Sequence, residues 1–174
     1  MVIVNLWHGK LLRANSHDES ILTISEHASQ THRTLLLHRV IHILAALVFL
    51  SLGLYHLLRG IYLEAACAII IASTFDILQV LTLSKKSAKN VFAVNLHAVT
   101  AWIMGMAYIV YASFTASYSG LGYWVVLILC LSFVILLIMA FVKKFKKFWL
   151  MQHGYFWLLA IVITSAHIKL IFAM

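Results

Sequence analysis

The sequence predicts an all-α, polytopic membrane bundle of five transmembrane helices, with the N-terminus inside and the C-terminus outside. Three observations carry that reading. The 174 residues are 64% hydrophobic and only 10% charged, where a soluble domain carries about a quarter charged residues. Five long apolar runs follow one another along the chain. The basic residues sort almost entirely to one side of those runs.

The runs cover roughly residues 35–58, 61–83, 91–115, 121–142 and 148–173. Each is long enough to cross about 30 Å of hydrocarbon as an α-helix. Strands of a membrane barrel would alternate apolar and polar residues, and these runs do not. Only Arg59-Gly60 separates the first two, which predicts a tight antiparallel hairpin. The chain holds no proline, so nothing predicts the interrupted helices with which many transporters build a mid-membrane site.

Residues 1–33 form a polar, irregular cytoplasmic N-terminal segment, and residues 34–174 form the membrane domain. Within the segment, Val2–Leu12 reads as a short amphipathic piece for the membrane surface. Ser16-His17-Asp18-Glu19 matches a capping box and predicts a short helix running to about Ser29. Met1–Arg13 is too short and mixed to read as a cleavable signal peptide.

Orientation follows from lysine and arginine. Lys10, Arg13, Arg33 and Arg39 precede or open the first span. Lys85, Lys86 and Lys89 lie between spans two and three, and Lys143, Lys144, Lys146 and Lys147 between spans four and five. With five spans these eleven share one side, leaving Arg59 and Lys169 on the other. The net charge of +8 is thereby a topology signal, and nucleic acid is not an expected partner. Trp124, Trp149, Tyr118 and Tyr123 read as interfacial anchors. The natural setting is a bacterial cytoplasmic (inner) membrane or its organelle equivalent. Cys67 and Cys130 lie inside apolar runs and read as packing residues.

Six histidines lie in or at the spans: His38, His42, His56, His97, His153 and His167. Ionisable groups at that depth are costly and mark functional sites. His42 and His56 stand fourteen residues apart on the first span, and His153 and His167 fourteen apart on the fifth. That separation rises about 21 Å and falls about 40° short of whole turns, so each helix presents two imidazoles on nearly one face. If the two spans lie parallel and adjacent, His42 is level with His153 and His56 with His167. Each pair could ligate a haem iron axially, giving two haem b groups. Ala45, Phe49 and Gly53, with Trp157, Ala160 and Thr164, lie along the two faces and would leave room for a porphyrin.

This His-x13-His arrangement on two helices resembles the dihaem b-type cytochromes, both the respiratory cytochrome b core and ferric-reductase-like membrane domains. His38-Arg39-Val40 through Tyr55-His56 is also similar to ferric-reductase-like and haem A synthase helices, which contain a His-Arg start. The resemblance implies an electron-transfer component of an oxidoreductase. Electrons would pass through two bis-His haems between quinol and a redox partner subunit. Three helices separate the ligand helices here, against one in the core cytochromes.

A second reading is a non-haem metal site. His42, His97 and His153 fall at similar depth on outward-running spans, and Asp76 joins them from the second. Three imidazoles and a carboxylate could bind zinc, iron or copper, to activate water or carry the ion in transit. In a blander version Asp76 bonds to Gln79 or Asn95, and His38 faces the headgroups. A third reading is a structural or assembly subunit in a homo- or hetero-oligomer, its histidines serving packing. Arg59 and Glu64 read as a surface pair. Ser165, near His167, lacks the partners of an acyl-transfer triad.

Overall fold

The structure, a computed structural model, describes residues 1–14, 23–83, 91–142 and 148–172, without the side chains of 91, 141 and 142. All regular structure among them is helical: α1 (Val2–Ala14), α2 (Ile24–Ala28), α3 (His32–Arg59), α4 (Leu63–Thr82), α5 (Val91–Tyr118), α6 (Tyr123–Val142) and α7 (Phe148–Phe172). Five of these, α3 to α7, are long and apolar enough to cross a membrane. The chain is therefore a multi-pass membrane bundle, as its composition predicts. The Lys85–Lys89 and Lys143–Lys147 clusters and the Ser16–Glu19 capping box lie outside the described residues. A different box, Thr23 with Glu26, starts α2: the Thr23 hydroxyl accepts from the Glu26 N–H at 3.2 Å, and the Glu26 carboxylate from the Thr23 N–H at 2.8 Å.

Successive spans run antiparallel, as short connections require. The α3–α4 hairpin turns where the sequence predicts. Gly60 closes α3 in the left-handed region at φ 66°, a conformation glycine adopts without a Cβ penalty. At the other end of the hairpin, the Arg39 guanidinium donates to the carbonyls of Val80 and Leu83 at the end of α4. A cation there satisfies carbonyls that the helix leaves open. Halfway along, Gly53 lets the two helices approach closely. A Cβ at Gly53 would lie 2.7 Å from side-chain carbons of Ile69 and Ile70 and 3.2 Å from the Ala66 carbonyl oxygen. Gly53 thus serves helix packing against α4, not space for a porphyrin. Gly53→Leu is expected to lower stability by about 1–3 kcal/mol through overpacking, read as a fall in Tm of the purified protein in detergent.

The main core joins Ala65, Ile69 and Ala72 of α4, Tyr108, Tyr111 and Ala112 of α5, Leu129 of α6 and Leu159 and Ile163 of α7. Outward-facing leucine, isoleucine and valine side chains, such as Val48, Leu81, Ile128 and Ile161, remain exposed, as lipid-facing residues should be. At the opposite end from the Gly60 turn, α1 does not lie free on the surface. It packs against α2, α3 and α7, burying Val4, Asn5, His8, Leu11 and Leu12. The Asn5 side-chain amide donates to the Phe156 carbonyl at 2.9 Å. That buried face carries two polar residues, so α1 brings hydrogen-bonding groups into the bundle as well as apolar surface.

Candidate metal centre

The site begins with a pair of histidines one turn apart. His38 and His42 stand at i and i+4 on α3, so their side chains share a face, with ring centroids 4.3 Å apart. Opposite them α1 supplies His8. Its Nε2 lies 3.0 Å from His42 Nε2, and its ring centroid 5.6 Å from that of His38. All three rings are buried. One ligand nitrogen from each lies within 4.8 Å of the others, a separation that could hold a metal ion.

Asp76 orients this cluster from α4. His42 Nδ1 lies 2.8 Å from Asp76 Oδ1. An ionised carboxylate only accepts, so His42 donates from Nδ1 and a neutral ring keeps its lone pair on Nε2. That lone pair accepts from His8 Nε2–H at 3.0 Å, a hydrogen bond that an ion held between the two rings would replace. Asp76 is also held by the Gln79 amide at 3.3 Å and the Tyr108 hydroxyl at 3.4 Å. Among the described residues no lysine or arginine pairs with it. The Met1 ammonium interacts with it electrostatically, and since a buried carboxylate is costly without nearby positive charge, an ion held by the imidazoles would offset it further. A carboxylate behind a metal-ligating histidine is the usual outer-shell arrangement of a protein-bound metal.

Burial, then the neighbouring imidazoles of His42 and His153, hold His8 well below the ordinary histidine range. His8 is thus neutral at physiological pH, the state in which imidazole ligates metals. His8 Nδ1 and His38 Nδ1 have no hydrogen-bond partner among the described residues. Buried polar atoms normally find one.

The residues singled out from the sequence fall into three groups. His42 and Asp76 come together as the metal reading requires, with Asp76 touching His42 and Gln79. His97 belongs to a different arrangement. Its Nδ1 donates to the Gln79 carbonyl at 2.7 Å, and its Nε2 accepts from the Ser25 hydroxyl at 3.0 Å. Both ring nitrogens are engaged, and His97 braces α2 against α4. His153 accepts from the Trp157 indole N–H at 3.2 Å, and its ring centroid is 6.4 Å from that of His8. It borders the cluster without joining it. His38 faces the interior, not the headgroups.

The four histidines of the haem reading are not paired by direct contact, though His56 and His167 are close enough to interact electrostatically. α3 and α7 make no close backbone approach among the described residues, and α1 packs against both. At the level of His42 and His153, His8 contacts both rings. Toward the other end, His56 packs edge-on to Tyr55 and Tyr62. His167 Nδ1 donates to the Ile163 carbonyl at 2.7 Å, and its Nε2 accepts from the Tyr111 hydroxyl at 2.8 Å.

A cavity of about 550 Å³ adjoins the cluster, with His8, His38, His42, Gln79 and His97 in its wall. The remaining wall is mostly apolar and comes from the start of α2 and from α5, α6 and α7. Were an ion held by the three nitrogens, such a space beside it would leave room for a further ligand, as catalytic sites do. No family model matches this chain, and no curated protein or solved structure matches it either.

Proposed function

We propose that this protein is a membrane metalloprotein in which His8, His38 and His42 hold one transition-metal ion, with Asp76 orienting His42. The observation that carries the reading is the convergence of three buried imidazoles backed by a carboxylate. Nitrogen-rich sets suit zinc, iron and copper. Two nitrogens each at about 2.0–2.1 Å from a tetrahedral zinc lie roughly 3.3 Å apart, close to the 3.0 Å between His8 and His42. When bound, such an ion would polarise a carbonyl or phosphoryl oxygen or acidify a coordinated water, so metal-assisted chemistry on a membrane-borne substrate is the function the site supports best. The sorting of eleven basic residues against two supports an orientation with the site in the inner half of the bilayer.

The cytochrome reading draws on the fourteen-residue spacing. It would need α1 displaced from between His42 and His153, and His167 freed from Tyr111. Quinol and a redox partner belong to that reading alone. One preparation tests both. The full-length protein, purified in mild detergent, is expected to carry about one zinc, iron or copper ion per chain by elemental analysis. It should show no reduced-minus-oxidised b-type spectrum. A spectrum with two haems per chain would overturn the metal reading in favour of the cytochrome.

A further inference from the structure

We infer that the cavity beside the imidazoles is the binding site for a single-chain amphiphile, whose polar head meets the metal and whose hydrocarbon tail lies among α5, α6 and α7. The inference rests on the metal reading for the head and on the cavity wall for the tail.

The wall is divided by chemistry. His8, His38, His42 and His97 gather with Ser25 and Gln79 on the side formed by α1 to α4 and the first turns of α5, and Gln152 of α7 bonds to the Ile24 N–H beside them. Trp102 and Gly105 of α5, Phe133 and Met139 of α6 and Phe156 of α7 supply apolar surface. A small polar solute would gain nothing from that surface, whereas a hydrocarbon tail can exchange the bilayer for it at no hydrophobic cost, lipid tails being as apolar as the wall. Volume sets the class. At roughly 30 Å³ for each water-sized group, 550 Å³ accommodates on the order of 18 such groups. That suits one chain and a small head.

Two features show that the space is built into the packing. Gly105 faces Phe133, and a Cβ there would meet only the Phe133 ring edge at 3.5 Å. A larger residue fits the backbone at that position but would take up cavity volume. The Tyr155 hydroxyl, in the same wall, is buried without a partner among the described residues, like His8 Nδ1 and His38 Nδ1. Tyr155 is only 6% exposed. An unpaired buried hydroxyl is unfavourable.

The test uses the full-length protein in phospholipid nanodiscs with a diazirine-bearing palmitic acid as photoprobe. Cross-linked peptides are mapped by mass spectrometry, and metal is measured on the same samples. Saturable labelling around Trp102, Phe133 and Met139, competed by unlabelled palmitic acid, is expected. Gly105→Leu and Ala101→Leu should each reduce that labelling at least tenfold while metal content is unchanged. Two variants guard against a folding defect in one, and unchanged metal content reports an intact site. Labelling confined to lipid-facing positions such as Ile128 and Val134, without saturation and equal in both variants, would overturn the inference while leaving the metal reading standing. Saturable cavity labelling in a protein without metal would overturn the metal reading, and with it the placement of the head.

Discussion

Replacing His42 with alanine is expected to bring the metal content from about one ion per chain to background. The effect should exceed that of any other single substitution because His42 has two roles. Its Nε2 faces His8, and its Nδ1 is the group through which Asp76 acts on the cluster. His38→Ala and His8→Ala each remove one donor and leave the Asp76–His42 pair in place, so they should weaken retention less completely. His167→Ala provides the contrast. His167 bonds to Tyr111 and Ile163, away from the cluster, and its loss should leave the metal in place. The comparison is made by elemental analysis of monodisperse protein after a single purification protocol. Equal metal in the His42→Ala and unaltered proteins would exclude His42 as a ligand.

Asp76→Asn is expected to weaken metal affinity about 10- to 100-fold, the usual consequence of altering an outer-shell partner. The amide is neutral, so it neither strengthens the basicity of His42 nor offsets the charge of the ion. Its NH2 group can also face His42 Nδ1 and favour the tautomer with the proton on Nε2, which blocks ligation. Competition against a chelator of known affinity reads the change. Asp76→Ala adds a stability effect. It leaves the buried donors of His42, Gln79 and Tyr108 without their acceptor, at roughly 1–3 kcal/mol for each donor left unsatisfied. A lower Tm is therefore expected for Asp76→Ala than for Asp76→Asn. Equal chelator resistance in Asp76→Asn and the unaltered protein would remove Asp76 from the account of the site.

The spans were legible because lipid leaves the chain little choice. A segment that crosses hydrocarbon must satisfy its own backbone and be apolar over about 20 residues, and that requirement is written locally. The Gly60 turn was legible for the same reason: a glycine between two apolar runs is a short-range signal. The contact between His42 and Asp76 followed from counting depth along antiparallel spans. Which imidazoles converge was harder, since convergence depends on helix rotation and on where the N-terminal segment docks. Val2–Leu12 read as a surface amphipath because it is short and carries Lys10 and Arg13. Yet Asn5, His8 and Leu12, at intervals of three and four, line one face and are the residues it buries. His38 and His42, also four apart, are the spacing that places two ligands together on a helix. The fourteen-residue repeat speaks only of α3 and α7, and carries no sign of α1, whose His8 stands between His42 and His153.

X-ray absorption at the metal edge of the purified, full-length protein reads the ligands of the ion themselves. A first shell dominated by nitrogen at about 2.0–2.1 Å is expected, with outer scattering from three imidazole rings, reduced to two in His38→Ala. A shell of sulfur or of oxygen alone, or an imidazole count unchanged by His38→Ala and His8→Ala, would contradict the three-imidazole site.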